Sequence, residues 1–198
     1  MLTFLRHAET TWNREGRIQG TLDIPLSTRG RCSAEKYAAH LQDAGIRVIW
    51  TSPLERARDT ATILATRLRR GTEYVPVREL GTLVERDYGI LQGKRLDDLN
   101  PSLLVKEEER ISGNGVEPWH GLQRRVRQAL QVIVTGPSPS VIVVHGGWWK
   151  ALNSLLQTGY HHENAKNLSS YCVERAELKF LLDKIHMGEL CDESTVHK

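Results

Sequence analysis

The sequence predicts an α/β fold with a mostly parallel central sheet and helices on both of its faces. Short apolar runs alternate along the 198 residues with longer segments of helical periodicity, which is the pattern of an α/β domain. The run at 141–144 is β-branched throughout and is bounded by Pro-Ser-Pro-Ser and His-Gly-Gly, which is typical of a strand buried on both faces. We expect one domain over residues 1–185 and a flexible tail over 186–198.

Each predicted element follows from its own stretch of sequence. Apolar runs predict four strands, at 2–5, 46–50, 75–77 and 141–144. Helical periodicity predicts helices over about 28–44, 53–70, 117–135 and 148–157. Ser52 and Pro53 predict the N-cap and the first residue of the second helix, because serine caps well and proline has the fixed φ that a helix start needs.

Two further regions have local patterns of their own. Within 169–183, the apolar stretches Tyr171–Val173 and Leu178–Leu182 flank a charged turn, which predicts a terminal hairpin. The least regular region, 105–117, is predicted to be a surface insertion near the site.

Composition narrows the class of protein. Lysine and arginine total 27 and aspartate and glutamate 24, so the net charge of +3 indicates neither a nucleic acid nor a membrane as partner. Cys32, Cys172 and Cys191 form no C-x-x-C pair, which argues against a disulfide framework and a zinc site. The N-terminal residues predict a first strand rather than a signal peptide. We therefore expect a cytoplasmic protein and leave a homodimer open.

Side chains that can take part in catalysis follow the predicted strands. Arg6 and His7 end the first strand, and His145 ends the strand at 141–144. Arg56 lies in the first turn of the helix after the second strand, and Glu85 lies in a loop. Open α/β sheets bind ligands at the carboxyl ends of their strands, so these side chains are expected to meet an anion there.

These residue types fit phosphoryl transfer. A neutral imidazole can attack phosphorus and carry the phosphoryl group, which divides one displacement into two easier ones. Guanidinium groups bind phosphate oxygens in bidentate fashion, and a second imidazole adds a donor. Glu85 would protonate the departing alkoxide and later accept a proton from water. Because cationic side chains neutralise the charge, we expect neither a metal nor a cofactor.

Four sequence segments occur in a fixed order: Arg6–Thr10, Ser52–Ala61, Glu85–Gly89 and His145–Gly147. This order resembles that of the histidine phosphatase superfamily, also called the phosphoglycerate mutase family, over about residues 1–160. The resemblance implies the three-layer phosphoglycerate mutase-like fold. It also implies that His7 is the phosphorylated nucleophile and Glu85 the proton donor. The implied phosphate pocket is Arg6, Arg56 and His145, and the implied substrate-binding residues are Asn13, Gln19, Tyr88 and Gly146.

The same resemblance bears on the choice between a mutase and a phosphatase. The segment Glu85–Gly93 resembles the glycolytic mutases. The short interval between the proton donor and the second histidine favours the phosphatase-like branch, as does Leu96 near the point where the mutases carry a lysine. Gly115–Pro118 and Arg125 resemble a stretch of the small phosphatases that precedes and enters a helix.

We therefore predict a metal-independent phosphomonoesterase that acts on small phosphorylated metabolites. A cofactor-dependent phosphoglycerate mutase is the main alternative, followed by a phosphoprotein phosphatase and by a regulator that binds a phosphorylated ligand. Trp148 and Trp149 are unusual for the family at this point, and core packing is expected for at least one of them.

Overall fold

A computed structural model describes residues 1–69, 72–99, 115–156 and 166–186 of the chain. In these residues a five-stranded sheet has the order β3-β2-β4-β1-β5. The strands are β1 Leu2–Arg6, β2 Val48–Thr51, β3 Val77–Glu79, β4 Ser140–Val144 and β5 Ser170–Val173. Strand β5 pairs antiparallel with β1, and the other pairings are parallel. The predicted α/β class with a mostly parallel sheet is confirmed.

Helices cover both faces of this sheet. They are α1 Thr11–Arg14, α2 Thr28–Tyr37, α3 Glu55–Arg67, α4 Trp119–Thr135, α5 Gly146–Leu156 and α6 Arg175–His186. Short 3₁₀ helices span Ala38–Ala44, Gly81–Leu83, Gly89–Leu91 and Leu96–Asp98. None of the helices in the described parts of the chain has the length and apolarity that a membrane crossing needs.

Strand β4 contributes to two apolar cores because its side chains alternate between the faces of the sheet. Ile142 and Val144 pack in a core formed with α4, α5 and α6. Val141 and Val143 pack in a second core, with α3 and the end of α2. Trp148 and Trp149 both lie in the first core, so core packing explains both tryptophans.

The predicted terminal hairpin is wrong. Strand β5 is present, but it pairs with β1 at the edge of the sheet, and the next segment is helix α6 rather than a second strand. Leu178 and Leu182 are buried in the first core. Their spacing of four residues places both side chains on one face of the helix. In a strand, Phe180 would share the face of Leu178 and Leu182, but Phe180 is 58% exposed, so the burial pattern fits a helix.

The predicted start of α3 is also wrong. Its N-cap residue is Leu54, and α3 begins at Glu55 instead of Pro53. The helix start is capped from another loop, because the Glu55 backbone N–H donates to Asp23 Oδ1 at 2.5 Å. The Ser52 hydroxyl oxygen accepts a 3.3 Å bond from the N–H of Leu54, which precedes the helix.

Other boundaries differ by small amounts. Strand β3 lies two residues later than predicted, and α5 begins at Gly146, two residues before Trp148. The predicted helix over 28–44 becomes 3₁₀ from Ala38 and ends at Gly45, whose φ of 63° is left-handed and suits glycine. Of the predicted insertion, 105–114 lies outside the described residues, as does the predicted tail after residue 186.

Helix α2 packs directly against the segment that follows β1, and Gly30 makes this possible. A methyl group at Gly30 would lie 2.0 Å from the backbone oxygen of Glu9. The same oxygen accepts a hydrogen bond from the Ser27 N–H at 2.9 Å. The start of α2 and the loop after β1 are therefore fixed to each other.

Gly30→Ala is expected to lower the free energy of unfolding by about 1–3 kcal/mol, because backbone must move to admit the methyl group. Gly121→Ala is the matched control in α4, where the new carbon would lie 3.8 Å from Glu117 Cγ in ordinary contact. The control should raise stability by about 0.4–1 kcal/mol. Urea unfolding of both variants measures these changes, and equal stability for the two would contradict the close contact.

Candidate active site

The two histidines lie side by side because their strands do. His7 follows β1 and His145 follows β4, and these strands pair in parallel with Arg6 opposite Val144. The His7 N–H donates to the Val144 carbonyl at 3.0 Å. The imidazole centroids are 5.2 Å apart, with an angle of 53° between the rings. Both rings are buried at the carboxyl ends of the two strands.

His7 is held in one tautomer by its own neighbour. Its Nδ1 lies 2.7 Å from the Ala8 carbonyl oxygen. A carbonyl can only accept, so Nδ1 carries the proton and Nε2 keeps its lone pair. This geometry leaves Nε2 as the atom that can act as a nucleophile.

Burial also keeps His7 uncharged. It lowers the pKa of the imidazole well below 6.5, and the nearby positive charges of Arg56 and Arg6 lower it further. The hydrogen bond to Ala8 acts in the opposite direction but is the smallest contribution. The neutral form therefore predominates at neutral pH.

Two side chains from distant segments hold the backbone around His7. The Ala8 N–H donates to Thr60 Oγ1 at 3.0 Å, and Thr60 in turn donates to the Arg56 carbonyl at 2.7 Å. Asn167 Nδ2 donates to the His7 carbonyl at 2.9 Å. These bonds fix the loop after β1 to helix α3 and to the segment before β5.

Arg56 is almost fully buried, with 1% of its surface exposed. It donates to the carbonyls of Leu22 at 2.8 Å and Gly20 at 2.7 Å. Its Nε has no partner among the residues that the structure describes. Burial lowers the pKa of Arg56 to about 10, while Glu85 and Asp23 oppose this shift. The guanidinium is still charged at neutral pH and has an N–H left for an anion.

Arg6 lies against the start of α5. A carbon added at Gly146 would be 3.6 Å from Arg6 Cζ. Burial lowers the pKa of Arg6, and the charges of Glu85 and Tyr88 oppose this. Gly146 therefore packs directly on a guanidinium of the site.

His145 is buried with no exposed surface. Its Nδ1 and Nε2 have no hydrogen-bond partner in the described residues. Burial lowers its pKa well below 6.5, and Arg56 and His7 lower it further. A neutral imidazole has one N–H, so His145 can donate one hydrogen bond to a bound anion.

Glu85 is bound to the N-terminus of α5. Its Oε2 accepts from the Gly147 N–H, and its Oε1 accepts from the N–H groups of Trp148 and Arg86, each at 2.9 Å. A carbon added at Gly147 would lie 2.7 Å from Glu85 Oε1 and 2.8 Å from the Tyr88 hydroxyl oxygen. Only glycine leaves room here for both side chains.

The other predicted substrate-binding residues lie in two places. Asn13 Oδ1 accepts from the Thr10 N–H at 3.0 Å, and Gln19 Oε1 accepts from the Thr10 hydroxyl at 3.0 Å. Both amide oxygens are thus engaged, and their NH₂ groups donate to no residue that the structure describes. Tyr88 is half-buried beside Gly147, so its hydroxyl lies close to the Glu85 carboxylate.

Sequence reasoning missed the two residues that hold the backbone of His7 and Ala8. Thr60 lies within the second of the four segments, so it could have been considered with Arg56. Asn167 is 160 residues from His7 in the chain, and no local pattern marks it.

A cavity of about 520 Å³ opens beside Glu85. It is lined by Thr21, Val84, Glu85, Asp87, Gly115, Val116, Glu117, Pro118 and Arg125. Among the described residues, no group of three or more histidine, cysteine or acidic side chains is arranged to hold a metal ion. The cavity is large enough for the organic part of a small phosphate ester.

Comparison with known proteins gives consistent matches. A family model, histidine phosphatase superfamily (branch 1), matches residues 2–186. The uncharacterized phosphatase PhoE of Bacillus subtilis (strain 168) is 31% identical over 184 residues, or 87% of this chain and 86% of that protein. The probable phosphoglycerate mutase GpmB of Serratia proteamaculans (strain 568) is 33% identical over 183 residues, or 88% and 79%. Relatives of both names therefore match most of the chain.

A solved structure is also similar over most of the chain. It is a mycobacterial glucosyl-3-phosphoglycerate phosphatase in complex with VO3, with 31% identity and a TM-score of 0.69. The match covers 85% of this chain and 90% of that one. The three-layer phosphoglycerate mutase-like fold expected from the sequence is confirmed.

The depressed pKa values of His7 and His145 predict a stability that falls in acid. In the unfolded chain both imidazoles gain protons below about pH 6.5, whereas the folded state excludes them. The unfolded state then binds more protons than the folded state. The free energy of unfolding therefore decreases as the pH falls from about 6.5 toward the pKa values that the two histidines have in the folded state. Each histidine contributes up to about 1.4 kcal/mol per pH unit.

His145→Gln is expected to remove one of these contributions and to flatten the slope. Urea unfolding in phosphate-free buffer, between about pH 5 and about pH 7, measures the slope for each protein. His40→Gln, at an exposed position, is the matched control for loss of an imidazole. The same slope in wild type and in His145→Gln would show that His145 does not titrate differently in the two states.

Proposed function

Because the chain belongs to the histidine phosphatase superfamily, we propose that it is a metal-independent phosphomonoesterase acting on small phosphorylated metabolites. The observation that carries this proposal is the state of His7. Its Nδ1–H is fixed on the Ala8 carbonyl, and its neutral Nε2 lies among buried guanidinium groups. This combination suits an imidazole that attacks a phosphate dianion.

In the first step, His7 Nε2 attacks phosphorus and the bond from phosphorus to the ester oxygen breaks. The protonated Glu85 gives its proton to the departing alkoxide, so a neutral alcohol leaves. The phosphoryl group is then bound to Nε2. Arg6, Arg56 and the N–H of His145 stabilise the charge on its three other oxygens.

In the second step, water attacks the phosphohistidine. Glu85, now a carboxylate, takes a proton from the water as the new bond to phosphorus forms. The bond between phosphorus and Nε2 breaks, and its electron pair returns to the imidazole. Inorganic phosphate leaves, and Glu85 is again protonated for the next turnover.

The charge of the cavity beside Glu85 supports a phosphatase over a mutase. A mutase must hold a bisphosphorylated intermediate, which calls for cations on both sides of the reacting phosphate. Asp87 and Glu117 line this cavity, and the guanidinium of Arg125 is already paired with Glu117 at 2.7 Å. A second phosphate here would face carboxylates, whereas an uncharged leaving group and water would not be repelled.

The first test is turnover of 3-phosphoglycerate beside a panel of sugar, nucleotide and amino-acid phosphates. Inorganic phosphate and 2-phosphoglycerate are followed together, with 2,3-bisphosphoglycerate absent or present, and with and without a chelator. We expect release of phosphate without isomerisation, unchanged by the chelator. Isomer formed only with the bisphosphate would establish the mutase instead.

His7→Ala should lower turnover by about 10⁴-fold or more, because the variant lacks the proposed acceptor of the phosphoryl group. Rapid acid-free quenching of the wild type with labelled substrate should trap label on His7, identified by mass spectrometry under alkaline conditions. His40→Ala, on the surface, should keep both turnover and label. Activity or label that survived in His7→Ala would overturn the mechanism.

Glu85→Gln should slow esters with poor leaving groups more than activated ones. A phenolate with electron-withdrawing groups leaves without protonation, whereas a simple alkoxide or phenolate needs the proton. We expect kcat/KM to fall by about 10²-fold or more for phenyl phosphate and far less for 2,4-dinitrophenyl phosphate. Glu79→Gln, in the exposed strand β3, is the control. Equal losses on the two esters would argue that Glu85 does not donate the proton.

A further inference from the structure

The loop that carries Glu85 is held by a single arginine from helix α4. Arg125 NH1 donates to the carbonyls of Val84 at 2.7 Å and Thr82 at 3.2 Å. Arg125 NH2 donates to the carbonyl of Glu85 itself at 3.3 Å. Three carbonyls within four residues, the last of them that of the proposed proton donor, are therefore bound to one guanidinium.

The rest of this guanidinium is held by Glu117. Arg125 Nε donates to Glu117 Oε1 at 2.8 Å, and NH2 donates to Glu117 Oε2 at 2.7 Å. The five N–H bonds of an arginine are thus all used, since three go to carbonyls and two to the carboxylate. No N–H of Arg125 is left for substrate, so the residue can act only through the groups that it binds.

Glu117 is in turn tied to the segment after Glu85. Its backbone N–H donates to the Asp87 carbonyl at 2.8 Å, and its carbonyl accepts from Arg86 Nε at 2.9 Å. Its Oε2 also accepts from the Asp87 N–H at 3.3 Å. The loop is therefore bound on its N-terminal side by Arg125 and on its C-terminal side by Glu117, with Glu85 between.

The opposite end of Glu85 is fixed independently. Its carboxylate accepts hydrogen bonds from backbone N–H groups of α5, while its backbone carbonyl accepts a hydrogen bond from Arg125 of α4. A side chain clamped at both ends has little freedom to move away from the ester oxygen. Proton transfer needs the donor within hydrogen-bond reach, so a loose loop would reduce the rate without changing the phosphate pocket.

We propose that Arg125, held by its bidentate pair with Glu117, is a positioning residue that places Glu85 for proton donation to the leaving group. This inference rests on the proposed function, in which Glu85 is the proton donor. It assigns to the Arg125–Glu117 pair an effect on leaving-group protonation and none on phosphate binding.

Arg125→Lys tests the inference. Lysine keeps the charge but has one nitrogen, which cannot span the three carbonyls and both carboxylate oxygens. We expect kcat/KM to fall by about 10- to 100-fold for phenyl phosphate and by less than about twofold for 2,4-dinitrophenyl phosphate. The inhibition constant of inorganic phosphate should not change. Arg124→Lys, the exposed neighbour on the same helix, is the matched control and should behave as the wild type.

The double variant separates positioning from a general structural role. If Arg125 acts through Glu85, Arg125→Lys should have less than about twofold effect on phenyl phosphate once Glu85→Gln is present. Equal losses on both esters, or additive losses in the double variant, would overturn the inference. If Glu85→Gln alone does not alter the dependence on leaving group, the proposed role of Glu85 fails and the inference fails with it.

Glu117→Gln provides a second route if Arg125→Lys does not fold. The amide keeps one acceptor oxygen for Arg125 but loses the bidentate pair. It should shift the dependence on leaving group in the same direction and by a smaller factor than Arg125→Lys. A folded Glu117→Gln protein with wild-type kcat/KM on both esters would count against the inference.

Discussion

Positive charge buried at the ends of β1 and β4 is the constraint on which the site depends. A guanidinium cannot give up its proton at neutral pH, so burying Arg56 leaves a charge that the fold must balance. The carbonyls of Gly20 and Leu22 take two of its donors, and Glu85 in its ionised form supplies an opposing charge nearby. The imidazoles respond differently, because they can lose their protons, and both stay neutral. The result is a buried, cationic pocket that contains two neutral imidazoles.

The loop that balances Arg56 is itself fixed by contacts outside the pocket. Gly20 has a φ of 56°, and a carbon added there would lie 2.0 Å from Gln92 Oε1. The same oxygen accepts from the Thr21 N–H at 2.6 Å. Three residues after Gly20, Asp23 caps the helix that carries Arg56. One short loop thus both orients the arginine and fixes the start of its helix.

The sequence predicted what depends on local pattern and missed what depends on distant contacts. The buried strands β1 and β4 and the residues at their ends follow from uninterrupted apolar runs that stop at polar loops. The sequence predicts Ser52 as the cap of α3, because the side chain that does bind the first N–H of the helix, Asp23, lies 32 residues before Glu55. The sequence from Leu178 to Leu182 fits a hairpin strand as well as a helix, and the helix is evident only from the structure, where Leu178 and Leu182 are buried and Phe180 is exposed.

For the site too, the sequence predicted the residues that local pattern marks and missed those that depend on distant contacts. The residues with unusual chemistry could be found individually, since histidine and arginine at strand ends are conspicuous. Their supports could not, because Asn167 reaches His7 from the far end of the chain and contributes only an amide. A sequence motif includes Arg125, but the contact of Arg125 with the Glu85 loop depends on how α4 packs, which a sequence pattern does not contain.

The segment from His145 to Trp148 sets the distance between the proposed site of phosphoryl transfer and the proposed proton donor, Glu85. His145 lies beside His7 in the proposed phosphate pocket, and the N–H groups of Gly147 and Trp148 bind the Glu85 carboxylate. Phosphoryl transfer to His7 and protonation of the ester oxygen would be the same in a mutase and in a phosphatase. The difference between the two activities must therefore lie in residues that face the leaving group. There, Glu117 already holds Arg125 in a bidentate pair, and a second phosphate would have to break that pair to gain a cation.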